Sequence, residues 1–198
     1  MEREEAIALA KQAYDLYSTG EYEKAVPLLQ QCADSGFVPF FTLLGDCYWN
    51  GDGVEKDTTK AIKYYLAAAD LGDAEGLVRM GGVYSRCCEP QKALDSFMKA
   101  FEKGKAAALY NVGILYYSGL GSLERDLSVA AKYFEQYISM EPEDAEAIHL
   151  LGRCYAFMED RNLEKAEALF SKSASLGNKQ AAKDLDAVQL GGSIVDIY

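Results

Sequence analysis

The sequence predicts an all-α chain, a right-handed α-solenoid of about five helix–turn–helix repeats closed by a C-terminal capping helix. Three observations carry this expectation. Apolar residues return at helical spacing, as in Phe41, Leu44 and Tyr48, or Ala61, Tyr64, Tyr65 and Ala68, so each segment has one face to bury. An alanine that follows a basic or small residue recurs at Ala25, Ala61, Ala93, Ala130 and Ala166, at spacings of 36, 32, 37 and 36 residues. A glycine with a tyrosine three residues later marks the helix before it, at Gly45–Tyr48, Gly81–Tyr84, Gly113–Tyr116 and Gly152–Tyr155. Repetition at this period is the signature of stacked hairpins, because one hairpin cannot bury its apolar stripe alone.

The elements follow in order. One domain spans residues 1–190, with repeats over 4–36, 37–72, 73–104, 105–141 and 142–177. Gly36, Gly72, Gly104 and Gly177 follow the second helices, where a left-handed C-terminal residue costs glycine least. Pro39, Pro90 and Pro142 sit at or just before helix starts, where a missing N–H matters little. Pro27 falls inside the second helix of the first repeat and predicts a kink or a late helix start. Small glycine and alanine let helix backbones approach, and the tyrosine fills the gap between hairpins. Residues 178–190 read as the capping helix, with Ala182, Leu185 and Val188 on one face. The tail 191–198 is apolar after a glycine pair; it is expected to be flexible, or to dock on this chain or a second copy.

Composition narrows the function. The 198 residues carry a net charge of −11, without the basic surplus that neutralising phosphates requires, so nucleic acid is not an expected partner. No stretch approaches the roughly 20 apolar residues of a membrane span. The acidic start Met-Glu-Arg-Glu-Glu-Ala lacks a signal peptide's basic and apolar regions, which favours a cytoplasmic protein. The odd count of five cysteines gives no disulfide framework. With one histidine and no Cys-x-x-Cys pair, neither a metal site nor a cofactor is expected. The vicinal pair Cys87-Cys88 reads as a redox pair or as two small buried apolar side chains, the second being the expectation.

The repeat units resemble tetratricopeptide repeats in their Leu-Gly-x-x-Tyr and Lys-Ala-aromatic runs. The loops Tyr48-Trp49-Asn50-Gly51-Asp52-Gly53-Val54-Glu55-Lys56-Asp57 and Tyr117 to Asp126 are similar to the longer loop of Sel-one-like repeats. The resemblance covers about residues 4–177 and implies a protein- or peptide-holding module, an adaptor or scaffold, not an enzyme. It also leaves open an accessory subunit with an obligate partner, or self-association through the tail of an otherwise monomeric chain.

In such families the first helices line the binding groove, at the positions one and four after the motif glycine and three before it. These positions give Tyr14 and Tyr17 in the first repeat, and Thr42, Asp46 and Trp49, with Asn50 adjacent, in the second. Ser85 and neighbouring Arg86 follow in the third, then Tyr110, Ile114 and Tyr117 in the fourth. His149, Arg153 and neighbouring Phe157 complete the set. Trp49, the one tryptophan, is the foremost candidate, since Trp, Tyr and Arg dominate interface hot spots. The competing reading is that these aromatics pack between repeats, and for His149 that it is an ordinary helix-surface histidine.

Catalytic chemistry finds no foothold. Gly51-Asp52-Gly53 and Gly119-Leu120-Gly121 lie in inter-helix turns without the Lys-Ser/Thr of a phosphate loop. Nothing near His149 reads as an activated nucleophile. The Lys and Asn clamp for chaperone tails is replaced by Ala10 and Tyr14, with Glu146 in the fifth repeat.

Overall fold

The computed structural model describes residues 3–190, and the tail expected over 191–198 lies outside them. Eleven helices run in order among these residues: α1 (Arg3–Ser18), α2 (Tyr22–Asp34), α3 (Pro39–Asn50), α4 (Thr58–Asp70), α5 (Ala74–Arg86), α6 (Pro90–Glu102), α7 (Ala107–Ser118), α8 (Leu127–Met140), α9 (Ala145–Phe157), α10 (Leu163–Ser175) and α11 (Lys179–Gln189). Helices α3, α5, α7 and α9 carry the glycine motif and the even-numbered helices the alanine motif, so the described residues form a run of repeat hairpins with α11 as the extra helix. Two compact units divide it, Met1–Tyr84 and Ser85–Tyr198.

Sequence punctuation sets the helix ends. Asp57, Asp126, Asp144 and Asn162 each accept the backbone N–H three residues on at 2.9 Å, capping α4, α8, α9 and α10. Gly36, Gly72, Gly104 and Gly177 take positive φ, as their place after second helices requires. Helix α2 begins at Tyr22 and runs through Pro27, so the late start does not occur.

Within three of the hairpins the motif glycine makes room for one particular ring. A Cβ on Gly45 would lie 2.4 Å from Tyr65, one on Gly113 2.6 Å from Phe134, and one on Gly152 2.7 Å from Phe170. Each ring stands four residues, one helical turn, after the motif alanine of the following helix, so alanine and ring share a face. Phe134 and Phe170 are fully buried and Tyr65 nearly so. The motif tyrosines do lie across the hairpin: Tyr48 stacks on Tyr64 at 5.6 Å and Tyr116 on Tyr133 at 5.9 Å.

The second glycine of each long loop has its own reason. Gly53 approaches the start of α2 so closely that a Cβ would fall 2.4 Å from the Tyr22 carbonyl carbon. Gly121 approaches the start of α6 likewise, its Cβ position 3.1 Å from the Cys88 carbonyl oxygen. In both units, therefore, a Sel-type loop closes over the turn that opens the preceding repeat's second helix.

Two phenols tie tolerance of alkali to packing. Tyr137 donates to Asp144 at 2.8 Å, and burial followed by that bond pushes it up to about 12. Tyr155 donates to Glu135, and that bond followed by burial also pushes it up to about 12. An unfolded tyrosine ionises near pH 10, so the fold favours the neutral phenols. Their contribution is complete below about pH 10 and is lost as pH rises towards 12. The denaturant midpoint should accordingly hold steady from pH 8 to 9.5 and fall by pH 11.5, less steeply in Tyr137→Phe. A midpoint flat across that whole range would contradict the assignment.

Candidate functional site

In the first unit, α1, α3 and α5 together present a face built around one ion pair. The Asp46 carboxylate follows the motif glycine of α3 and accepts from Arg79 Nε at 2.8 Å and Nη2 at 3.1 Å. It also accepts from the Tyr65 hydroxyl at 2.8 Å. Glu75, one turn before Arg79, takes Nη1 at 2.6 Å. A guanidinium held on three of its nitrogens is fixed in orientation, and two of its five N–H donors stay unengaged among the described residues. Its side chain remains 37% exposed.

Aromatic groups flank this centre. Trp49, half-buried, lies against Tyr65 with ring centroids 6.2 Å apart and packs in one cluster with Ala61, Met80 and Tyr84. Tyr17 meets Tyr22 edge-on at 5.5 Å, and burial, then the Asp46 carboxylate, raises its phenol well above the usual range. Tyr14 is 57% exposed, and Ile7, two turns before it on the same side of α1, is exposed as well. Asn50 is exposed and bonds Asp52. The face thus offers a fixed cation with its counter-charges, phenols that keep their protons, and an indole edge. That equipment suits hydrogen bonding and apolar contact with an extended chain. It contains no activated nucleophile, since burial pushes the nearby Cys47 thiol up to about 12. A cleft of about 560 Å³ opens elsewhere, beside Tyr48, Val54, Lys56, Asp57 and Lys60. Among the described residues, no three His, Cys, Asp or Glu side chains gather as a metal site.

Several expected groove positions turn inwards instead. Thr42 is buried because its hydroxyl donates to Asp73, which caps α5 through the Gly76 N–H. In the second unit Tyr117 is 1% exposed, with the Arg125 guanidinium over its ring at 5.5 Å. His149 and Arg153 are 3% and 5% exposed. These burials correct the expectation that the four side chains stand open to a partner, and His149 is no surface histidine. Tyr110 tilts over Phe134 and Tyr137, and Ile114 packs in the cluster that holds Leu150. Phe157 lies under the Arg153 guanidinium at 5.5 Å. Ser85 and Arg86 end α5, half-buried and exposed respectively.

The cause is a recurring lock that single-residue reasoning missed. The position after the motif glycine meets a residue on the next first helix. Asp46 meets Arg79, and Ile114 shares its cluster with Leu150. Arg153 approaches Asp184 at 3.9 Å. Arg79 and Asp184 are each the sixth residue of their helices, so the two ion pairs occupy one repeat position with reversed polarity. The second is buried and richer: His149 Nε2 lies 2.9 Å from Asp184, whose other oxygen accepts from Gln180 at 3.0 Å. Opposite charges about 32 residues apart at equivalent positions were the available signal for Arg79 and Asp184. The expected apolar stripe of α11 is likewise centred on Ala181 and Asp184, with Leu185 and Val188 packed beside them.

Comparison with known proteins agrees with this geometry. The Sel1 repeat model matches residues 42–73 and 106–138, and a tetratricopeptide repeat model matches residues 124–184. The chitin synthase regulator SKT5 of Saccharomyces cerevisiae is 31% identical over 134 residues, 64% of this chain and 19% of that protein. The ERAD-associated E3 ubiquitin-protein ligase component HRD3 of Candida glabrata is 35% identical over 80 residues, 40% of this chain and 10% of its own. The chain therefore spans a fifth or less of these two relatives. Among solved structures, a Sel1 repeat protein from Oxalobacter formigenes superposes with a TM-score of 0.77 at 26% identity, over 92% of this chain and 78% of the other. A protective antigen of uropathogenic Escherichia coli strains, displaying an SLR fold, gives 0.77 and 26% over 95% and 42%. Hairpin geometry, matched models and superposed structures together show a helical-repeat chain whose repeats match the Sel1 and tetratricopeptide repeat models.

Proposed function

We propose that the chain is an adaptor or scaffold that holds an extended segment of another protein on the face formed by α1, α3 and α5. The observation that carries this is Arg79, fixed by Asp46 and Glu75 yet partly exposed, with Trp49 and Tyr17 beside it. A donor fixed in place loses little freedom when it donates to a backbone carbonyl, and rigid aromatics add area at small entropic cost. The matching residues of the second unit are buried, which concentrates the proposal on the first. An open face rather than an enclosed cavity favours a peptide over a small molecule.

The direct test compares wild type with Tyr14→Ala and Arg79→Lys in capture of partners from native lysate. Tyr14 is exposed and Arg79→Lys keeps the charge while removing the planar fork, so both variants should fold. Each should weaken retention of the same partner by about 1–2 kcal/mol, roughly a tenfold loss. Equal retention by all three proteins would place binding on another surface.

An accessory role is the second reading. HRD3 is named as a component of a ubiquitin ligase and SKT5 as a regulator of chitin synthase. Both names attach a repeat protein to an enzyme, so an enzyme subunit is the partner class this reading favours. A partner that co-purifies stoichiometrically through size exclusion distinguishes it from transient peptide capture.

A further inference from the structure

The turn between α5 and α6 holds a pair of thiols that the binding face does not use. Cys32, Cys47 and Cys154 are buried. Burial raises all three thiols, Cys47 and Cys154 up to about 12, which starves them of the reactive thiolate. Cys87 and Cys88 are both exposed, which corrects the expectation that they are small buried apolar side chains. Thiol chemistry in the folded chain is thereby confined to two neighbouring residues.

We propose that Cys87 and Cys88 form a reversible oxidation site, a vicinal dithiol that a hydroperoxide closes to a cyclic disulfide. Hydrogen peroxide serves as the oxidant. One thiolate attacks a peroxide oxygen: an S–O bond forms, the O–O bond breaks, and the departing hydroxide takes up a proton as water. The neighbouring thiol then attacks the sulfenic sulfur: the S–S bond forms, the S–O bond breaks, and a second water leaves. Two thiols lose two electrons in total, and one peroxide becomes two waters.

The geometry explains why closure is both fast and reversible. The second thiol is one residue away, so it resolves the sulfenic acid before a second molecule can. Adjacent Cα atoms lie about 3.8 Å apart across a trans peptide, below the roughly 4.4 Å at which ordinary disulfides begin. The ring is consequently strained, and strained, exposed disulfides are the readily reduced, regulatory kind. Cys88 is also the one non-glycine residue with positive φ among those described, at 56°. That conformation is held by its N–H bond to the Ser85 carbonyl at 3.1 Å and by the close seat of Gly121 on its carbonyl. Oxidation would thus reach the α7–α8 loop through Cys88.

The test treats the full chain with stepwise hydrogen peroxide, blocks remaining thiols with iodoacetamide and maps tryptic peptides. Cleavage after Arg86 and Lys92 isolates Cys87 and Cys88 from the other cysteines. The expected result is a peptide 87–92 that takes up no iodoacetamide and is about 2 Da lighter than its unblocked dithiol form, with a monomeric chain on non-reducing gels and full reversal by dithiothreitol. In Cys88→Ser the loss disappears and dimedone traps a sulfenic acid on Cys87. A covalent dimer, a bridge to Cys32, Cys47 or Cys154, or direct passage to sulfonic acid would each overturn the proposal. So would persistence of the lighter peptide in Cys88→Ser.

Discussion

Gly45→Ala should destabilise the first unit by about 2–3 kcal/mol, whereas Gly82→Ala, in the middle of α5, should stabilise it by about 0.5–1 kcal/mol. Alanine is the better helix former at both sites, so propensity alone predicts two gains. Space separates them. The new methyl at 45 would meet Tyr65 at 2.4 Å, while at 82 nothing lies within 4 Å. Tyr65 has no easy escape, because its ring is buried and its hydroxyl is tied to Asp46. Pushing that ring aside would also disturb the Asp46 carboxylate that fixes Arg79, so Gly45→Ala should weaken partner retention as well. Thermal or chemical denaturation of the two variants checks the pair; a shared sign would show that the ring-and-glycine fit does not govern hairpin packing.

Asp184→Ala should cost about 3–5 kcal/mol, the larger loss, because it strips the carboxylate from a buried polar cluster. His149 Nε2 and Gln180 Nε2 would lose this acceptor and Arg153 an anion 3.9 Å away, with His149 and Arg153 almost closed to water. His149 Nδ1 already meets no hydrogen-bond partner among the described residues, so the ring has no second anchor. Amide exchange in α9, α10 and α11 should accelerate by on the order of a hundredfold, with α1 to α4 little changed. Replacing His149, Arg153 and Asp184 together by apolar residues of similar size should restore most of the loss, since the penalty lies in stranding charges rather than in lacking them. Failure of the triple variant to recover would mean that the cluster specifies the packing of α11 in a way shape cannot replace.

The hairpins were legible because their cause is local. Glycine, alanine and aromatic residues recur at fixed offsets, and each offset maps to a contact within one repeat, such as Gly113 against Phe134. Capping aspartates and left-handed glycines are similarly local, and they fix the helix ends. The face was legible only in part. Helical geometry gave the direction of Asp46, Ile114 and Arg153, but not whether the neighbouring repeat would cover them. That depends on Arg79, Leu150 and Asp184, each over thirty residues away and carrying no motif of its own. Asp184 was hidden further by its setting in an otherwise apolar stripe, where a charge reads as solvent-facing until its buried partners are known. Cys88 gave no warning either, because a left-handed turn is ordinarily announced by glycine or asparagine.

Hydrogen exchange on the chain with and without its captured partner tests the central claim most directly. The account predicts new protection along α1, α3 and α5, around Tyr17, Trp49 and Arg79, with α9 and α11 unchanged. Protection confined to α7, α9 and α11, with the first unit exchanging as in the free chain, would contradict it.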